Sequence, residues 1–420
     1  MCRDLHRRRG GSACRRCRGD SCAPGHRSPR PGGRLMSSSG LAGPWGAVAA
    51  AVLGVVLGRL LTLLTGGWLA SCERELAHEQ PGPRATDPSR AIELAAVAVA
   101  VALWWWEVHQ SGQAPLDGKG GQLSLPAGEL ACRYGAHLTL FWLLAAATWI
   151  DFRYRVIPDW ITLPGLLVAL VAVWLVPGIL LPVAAEIPRS FALSLYSPDV
   201  LGWAGPLRFM VAQGGWESPR TVAALAISVG IYAAWWWACT APGSGPAVPW
   251  WRSSRGAVLL AGLVAILAAW THGGDRFAGL FSGLIGVIVS GGLVWAIRCG
   301  ATWALGREAM GMGDVTLMAM VGAWLGWQSC VVAFFLAAFI GLGHGMWQIA
   351  LHRESELPFG PSLCLASAAV VIGWGPLWDR IGPLFADPLL MAAVVAAVVV
   401  LTAITLFLWR LVRPLLAGGG

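Results

Sequence analysis

The sequence predicts an all-α fold, a polytopic bundle of roughly 9–11 transmembrane helices. Of its 420 residues, 56% are hydrophobic and only 12% are charged, whereas a soluble domain has about 25% charged residues. The mean hydropathy is +0.62, and apolar runs recur along most of the chain. The 25 tryptophans fit the aromatic belts that anchor membrane helices at the lipid–water interface. These observations exclude a soluble globular domain.

Apolar runs of about the length of a bilayer crossing define the predicted helices. Only helices and closed barrels satisfy every backbone hydrogen bond inside lipid, so each run is predicted to be a helix that tolerates its Gly and Pro residues. The shortest runs fall below the usual crossing length. The predicted spans lie near residues 46–70, 91–106, 132–150, 160–182, 221–240, 256–271, 277–298, 315–328, 329–350, 362–377 and 388–410.

The net charge is concentrated at the start of the chain. Ten Arg in residues 1–34, against Asp4 and Asp20, account for the whole formal charge of +8. The rest of the chain carries no net charge, so the composition does not indicate a nucleic-acid partner. We expect residues 1–40 to be a disordered tail rich in Arg, Pro and Gly, and Met36 to be an alternative start of the working protein.

The distribution of basic residues predicts which loops face the cytoplasm, because cytoplasmic loops carry an excess of Lys and Arg. With the segment before the first span outside, twelve basic residues, including Arg298, fall in inside loops and seven, including Arg133, fall in outside loops. The Arg-rich tail contradicts this arrangement, since it would have to lie outside, and this conflict is a further reason to place the start of the working protein at Met36. This arrangement places the loops 151–159 and 299–313 on the same, cytoplasmic face.

One acidic residue, Asp314, stands at the edge of an apolar run. It follows Gly311-Met312-Gly313 in the stretch GMGDVTLMAMVGAWLGW. A carboxylate at the edge of a hydrocarbon layer costs several kcal/mol unless something neutralises or uses it. The glycines are expected to give close backbone approach and unusual dihedral angles just before a helix. A helix-capping role for Asp314 is an alternative that this stretch supports equally well.

A second stretch, IDFRYRVIPDWITLPG, begins at Ile150 between two apolar runs. It places Asp151 at the end of one predicted helix and Asp159, which follows Pro158, at the start of the next, where it is also placed to cap that helix. Two separated carboxylates at helix ends meet the requirement of an aspartic protease. One ionised Asp activates water and one protonated Asp polarises the carbonyl, since two adjacent carboxyl groups do not easily ionise together.

These two stretches, with PFGP at residues 358–361, resemble the prepilin leader peptidases. These are GxGD-type intramembrane aspartic proteases of type IV pilus and type II secretion systems. The resemblance covers roughly residues 138–181 and 279–375, which is under half of the chain. It implies that Asp151 and Asp314 are the catalytic aspartates, and it implies supporting roles for the residues Pro158, Asp159, Gly311 and Gly313.

The resemblance also implies the substrate and the location. The family removes a short basic leader after a Gly, ahead of the apolar pilin helix. The implied partners are therefore prepilin or pseudopilin precursor proteins and the lipid bilayer, and no nucleic acid. The implied location is the bacterial inner membrane, with several crossings.

Some features depart from the family pattern. The loop 71–90 contains only Cys72, where the bacterial enzymes carry two CxxC pairs associated with zinc and with N-methylation of the new amino terminus. The pair Cys14 and Cys17 in the tail has no second pair to complete a zinc site. We therefore predict no metal and no other cofactor, and we do not expect the accompanying methyltransferase activity. Thr316 stands where relatives commonly carry a Lys.

The resemblance and the motif spacing divide the chain into five segments. In the family a couple of spans separate the two motifs, whereas this chain carries an additional outside loop and two additional spans. An insertion of two spans keeps Asp314 on the same face as Asp151. The segments are the tail (1–40), an N-terminal transmembrane region with a reduced cytoplasmic loop (41–131), the first half of the peptidase core (132–182), the insertion (183–275), and the second half of the core with the C-terminal spans (276–420).

Two other functions remain open from the sequence. Carboxylates within a membrane also mark proton and ion routes, so a multi-pass transporter with a carboxylate-lined path is one alternative. It predicts acids deep within the spans, and the predicted spans are nearly free of acids. The other alternative is a catalytically inactive peptidase relative that acts as a scaffold, which Thr316 and the insertion favour.

Overall fold

A computed structural model gives an α-helix for each predicted span. The structure describes residues 43–76, 89–114, 127–187, 190–194, 222–240, 254–306, 308, 310–351, 359–385 and 388–417. The α-helices of this part of the chain are α1 (Pro44–Leu76), α2 (Ser89–Trp104), α3 (Ala127–Tyr154), α4 (Asp159–Leu175), α5 (Val222–Thr240), α6 (Ser254–His272), α7 (Gly274–Leu305), α8 (Met312–Leu325), α9 (Trp327–Leu351), α10 (Gly360–Ile381) and α11 (Pro388–Ala417).

The predicted class, an all-α helical membrane protein, is confirmed. Among the described residues, 4 helices are long and apolar enough to cross a membrane. They comprise the segments Gly128–Tyr154, Arg276–Leu305, Trp327–His344 and Gly360–Ile381. The other apolar helical segments, such as Asp159–Leu175 and Met312–Leu325, are shorter. The number of crossings therefore stays a prediction.

Short elements of other types interrupt the helices. A π-helix (Trp105–His109) continues α2, and 3-10 helices follow α4 (Pro177–Ile179) and α10 (Gly382–Phe385). The predicted insertion begins with an unforeseen antiparallel hairpin of β1 (Val183–Ile187) and β2 (Ser190–Ser194). Its two strands satisfy each other's backbone groups without a helix. The sequence predicts a loop for this stretch, so that prediction is wrong for residues 183–187 and 190–194.

Helix α8 is the central element, and all its residues from Asp314 to Leu325 are buried. It has 14 residues, so it is roughly 21 Å long, against about 30 Å for the hydrocarbon core of a bilayer. A helix that is apolar all round is stable when protein surrounds it on every side. Neighbouring helices, and not lipid, therefore form the environment of α8.

Glycines allow two neighbours to approach α8 closely. A Cβ on Gly286 of α7 would overlap the backbone of Gly322 of α8, and a Cβ on Gly322 would overlap the backbone of Gly286. On α4, a Cβ on Gly165 would overlap the side chain of Met320 of α8. Small residues at helix contacts are the main means by which membrane helices associate, because lipid gives no hydrophobic drive between them. Helix α8 is thus held between α7 and α4.

Glycines with positive φ define the helix ends next to α8. Gly306 has a φ of 68° and ends α7, donating its N–H to the carbonyl oxygen of Thr302 at 2.9 Å. Gly326 has a φ of 88° and is the single residue between α8 and α9. Glycine adopts these angles at little steric cost. They allow α7, α8 and α9 to follow one another with very short connections.

Some sequence predictions concern residues outside the described part of the chain. The tail 1–40 lies wholly outside it. Of the predicted loop 71–90, residues 71–76 extend α1 and residues 77–88 lie outside the described part. The five segment boundaries remain predictions.

We expect Gly286→Ala to destabilise the protein by about 1–3 kcal/mol, because the added methyl group overlaps the backbone of Gly322 and forces α7 and α8 apart. Gly292→Ala on the same helix is the matched control, since a Cβ there meets nothing within 4 Å. Thermal unfolding in detergent micelles measures both variants. Equal stability of the two would contradict the importance of this close approach.

Candidate active site

Asp151 lies in the last turn of α3, and only 5% of its surface is exposed. The helix ends at Tyr154. Arg155 follows with a φ of 56° and donates its N–H to the carbonyl oxygen of Asp151 at 2.8 Å. This bond satisfies one of the carbonyl groups that a helix leaves open at its end. The backbone that carries Asp151 is therefore fixed.

Asp314 lies in the first turn of α8 and is 8% exposed. The helix begins at Met312 with Gly311 as its N-cap, and no side chain caps it. The alternative of a capping role for Asp314 is therefore wrong. The expectation of unusual dihedral angles is also wrong, because Gly311 has a φ of −68° and Gly313 is helical. The positive end of the helix dipole favours a carboxylate in this turn.

The two glycines nearest the carboxyl groups bring the three motifs together. A Cβ on Gly313 would lie 2.9 Å from Cβ and 3.0 Å from the carbonyl oxygen of Ile157. A Cβ on Gly360, at the start of α10, would overlap the Asp151 carboxyl group and lie 2.9 Å from Cδ1 of Ile157. Asp151 is also close enough for its charge to act on Asp314. The structure thus brings both predicted catalytic residues into one buried site.

Two threonines join α4 to α8 beside this site. Thr162 Oγ1 donates to Thr316 Oγ1 at 3.2 Å, and Thr316 Oγ1 donates to the carbonyl oxygen of Gly313 at 3.1 Å. Both side chains are buried. Position 316, where the family commonly carries a Lys, is therefore filled by a neutral residue that fixes the glycine turn against α4.

Asp159 and Pro158 take different positions at the start of α4. Pro158 is buried and is the N-cap, whereas Asp159 is the first helical residue and is exposed. No side chain caps this helix, so a capping role for Asp159 is wrong. Its carboxylate instead lies in the first turn, where the helix dipole favours it. Burial distinguishes Asp151 from Asp159 as the acid of the site.

Arg298 is a positioning residue, whereas the sequence indicates for it only a basic residue of an inside loop. Its Nε donates to the carbonyl oxygen of Met310 at 2.9 Å, and its guanidinium pairs with Glu308. Both contacts lie on the segment that leads into Gly311. The cation on α7 thus holds the approach to the GxGD turn, and only the fold reveals this role.

The PFGP motif contributes the start of α10. Pro358 lies outside the described residues, and Phe359 packs edge-on against Phe334 with ring centroids 6.3 Å apart. Gly360 is buried against Asp151. The resemblance of this motif to the family assigns no role to Gly360. A glycine between Phe and Pro at a helix start was the available signal for a position with no room for a side chain.

A second buried polar cluster lies near the other end of α3. Its members are Glu107 of the π-helix, Gln113, Arg133 and His137, each at most 2% exposed. His137 Nδ1 lies 2.9 Å from Glu107 Oε1 and 3.3 Å from Gln113 Nε2. Arg133 Nε donates to the carbonyl oxygen of Gly178 at 2.9 Å. The sequence pattern does not predict this cluster.

The cluster corrects the assignment of Arg133 to an outside loop. The charges of Glu107 and Glu129 act on Arg133, which makes its burial tolerable. Both Arg133 Nη atoms and His137 Nε2 are buried without a hydrogen-bond partner among the described residues. Roughly 21 Å of helix separates His137 from Asp151, so the cluster is distinct from the site. Within the described part of the chain, no group of three or more His, Cys, Asp or Glu is placed to hold a metal ion.

Comparison with known proteins gives a family match over the part of the chain that carries Asp314. The model of the type IV leader peptidase family matches residues 252–346, a segment that contains Gly311, Gly313 and Asp314. Asp151 lies outside this segment. The match begins at residue 252, within the predicted insertion. No solved structure matches the chain significantly.

Curated proteins similar to this chain are described as prepilin leader peptidase/N-methyltransferases. The prepilin leader peptidase/N-methyltransferase of Aeromonas hydrophila is 33% identical over 102 residues, which is 24% of this chain and 35% of that protein. That of Aeromonas salmonicida (strain A449) is 34% identical over 116 residues, which is 27% of this chain and 37% of that protein. That of Burkholderia pseudomallei (strain K96243) is 34% identical over 109 residues, which is 25% of this chain and 35% of that protein. The matches thus span about a third of the length of these relatives. The resemblance of this chain to the type IV leader peptidase family is confirmed over that part.

Proposed function

We propose that the chain is an intramembrane aspartic endopeptidase that removes the short basic leader from prepilin-like or pseudopilin-like precursors. The cleavage takes place at the cytoplasmic face of the bacterial inner membrane, which the chain crosses several times. The matching family and the printed names of the relatives support prepilin processing. Methyl transfer is not part of this proposed activity, because residues 71–90 contain a single cysteine.

One observation carries the proposal: two acids from distant parts of the sequence are buried in the same site. Asp151 comes from the end of α3 and Asp314 from the start of α8; Gly360 packs against the Asp151 carboxyl group, and Gly313, next to Asp314, packs against Ile157. Buried acids cost several kcal/mol unless they are used or neutralised. If the two acids share one proton, the pair carries a single negative charge, and its burial does not require a basic residue beside it.

The chemistry of the pair follows from that shared proton. The ionised carboxylate takes a proton from a water molecule, whose oxygen attacks the scissile carbonyl carbon. The protonated carboxyl group donates its proton to the carbonyl oxygen, which gives a neutral tetrahedral intermediate. On collapse, the C–N bond breaks, a proton passes to the leaving amine, and the pair returns to its singly protonated state. Neither residue is consumed and no cofactor takes part.

The buried cluster around Glu107 favours a second candidate function, transport along a carboxylate-lined path. Acids, His and Arg buried within membrane proteins mark proton and ion routes, and Glu107 with His137 and Arg133 fits that description. A structural role is the competing explanation, because the cluster joins the π-helix to α3 through buried hydrogen bonds.

We expect Glu107→Gln to lower stability by about 3–5 kcal/mol, because the substitution leaves Arg133 with less compensating charge in a buried position. The cleavage rate per folded molecule should not change, since the cluster lies far from Asp151. The double variant Glu107→Gln/Arg133→Met should be more stable than Glu107→Gln alone, because it removes both charges. Thermal unfolding and cleavage assays measure these effects. A proton flux into vesicles that Glu107→Gln abolishes would favour the transporter instead.

Gly313→Ala should reduce the cleavage rate at least roughly tenfold, because its methyl group pushes α8 and Asp314 away from Ile157 by a fraction of an ångström. Gly311→Ala is the matched control from the same motif. The nearest atom to a Cβ there is Gly313 N at 3.8 Å, and its φ of −68° suits any residue. The measurement is kcat on a prepilin-like substrate. Equal losses in both variants would show that the glycine contact with Ile157 does not position the acid.

Asp151→Asn and Asp314→Asn should each abolish cleavage and leave the protein folded, because Asn keeps the shape of Asp but cannot accept and return a proton. The double variant should be no worse than either single variant, because the two groups act as one unit. Asp159→Asn should retain most of the activity, since this carboxylate is exposed. Activity should also fall at low and at high pH as the pair leaves its singly protonated state.

A cleavage assay on one prepilin-like substrate, with thermal unfolding as the control for folding, measures all four variants. Full activity of Asp314→Asn would end the proposal. Loss in Asp159→Asn with Asp151→Asn active would mean that the wrong acid of the stretch IDFRYRVIPDWITLPG has been assigned. A wild-type protein that cleaves no such substrate would favour the scaffold alternative.

A further inference from the structure

An apolar groove lies on the surface of the helices next to the candidate active site. Its volume is about 930 Å³, and residues of α3, α9 and α10 line it. Phe152 and Leu365 line the groove and are 56% and 57% exposed. A segment moving in the plane of the membrane can therefore enter it from the side, without passing through the helix bundle.

The groove is continuous with the site. Phe152 follows Asp151 directly, and Thr148 lies one turn before it on α3. From the other side, Pro361 and Ser362 follow Gly360, whose backbone touches the Asp151 carboxyl group. A ligand that fills the groove therefore ends beside that carboxyl group.

The lining of the groove changes along its length. On α3 the lining positions run from Phe141 to Phe152, which is roughly 16 Å of helix or about eleven helical residues. The end near the site carries hydrogen-bonding groups, Thr148, Ser362 and His344, whereas the far end carries only apolar side chains such as Leu144. The polar end can pair with the backbone of an unwound segment, and the apolar end suits a helix whose own backbone bonds are complete.

We propose that this groove binds the apolar helix of the substrate, with the cleavage junction unwound at the Thr148 end and the helix extending along α3 to Phe141. The inference rests on the proposed function and names the surface that selects the substrate. A partner with a basic leader, a junction and an apolar helix matches the order that the groove presents: an active site, polar groups, then an apolar wall. A lipid acyl chain is the competing occupant, because it matches the apolar wall but makes no use of the polar end.

Two neighbouring alanines of α10 allow a matched test. Ala368 lines the groove and Ala369 does not, and both are partly buried. The probes are a synthetic peptide with a basic leader, a junction Gly and a 20-residue apolar helix, and a short peptide with the leader and junction only. Ala368→Trp should raise KM for the long peptide roughly tenfold, because the indole occupies the space of the helix. Cleavage of the short peptide should stay unchanged, and Ala369→Trp should affect neither peptide.

A photoreactive phenylalanine analogue gives a readout that does not depend on catalysis. Placed at Leu365 in the groove, it should cross-link to the helix of the long peptide in lipid vesicles. Placed at Phe339, which is 72% exposed on α9 outside the groove, it should cross-link to lipid alone. The Asp314→Asn protein serves for this measurement, so that the peptide stays intact.

The outcomes separate the two proposals. Equal effects of Ala368→Trp and Ala369→Trp on the long peptide, or lipid as the only product at Leu365, would overturn the groove assignment while leaving the peptidase proposal in place. Loss of short-peptide cleavage in Ala368→Trp would also overturn it, because the substitution would then act on the site itself. A wild-type protein that cleaves neither peptide would refute the peptidase, and cross-linking at Leu365 would still decide whether the groove binds the helix.

Discussion

The close approach of α7 and α8 at Gly286 and Gly322 is the contact on which the rest of the structure depends. Lipid tails are as apolar as the side chains of these helices, so burial in lipid alone gives them no reason to associate. Association then depends on how closely the backbones pack, and two facing glycines leave the least space between them. Because α8 is shorter than a bilayer crossing and is buried on all sides, this packing is what keeps Asp314 in place.

The candidate site uses the same means at a smaller scale. Gly313 packs on Ile157, Gly360 packs on the carboxyl group of Asp151, and each contact excludes even a methyl group. The bond between Thr162 and Thr316 then ties the turn to α4, and Arg298 holds the segment before it. The glycines of the motifs thus permit close contact between neighbouring segments, and the two acids lie next to those contacts.

Much of this arrangement was predictable from the sequence. The rest was not predictable, for physical reasons. Apolar runs predict helices well because lipid permits little else, and the spacing of Asp151 and Asp314 relative to these runs places both at helix ends. The prediction that Asp159 and Asp314 cap their helices was wrong, because the N-cap residues are Pro158 and Gly311, which precede these acids. The burial of Arg133 with Glu107 escaped notice because it depends on the π-helix after α2 meeting α3, and the hairpin after α4 carries only a weak local signal.

The order of the elements along the chain has a consequence for biogenesis. A polytopic protein enters the membrane from its amino terminus as it is synthesised, so α3 and α4 are inserted long before α8 and α10 exist. A nascent chain of that length holds Asp151 without Asp314 and without the glycine that packs on its carboxyl group. The pair forms only when α8, the helix least suited to remain alone in lipid, enters between α7 and α4. If the chain is the proposed peptidase, insertion of α8 is therefore the step that completes its acid pair, and synthesis interrupted before α8 gives a fragment that lacks Asp314.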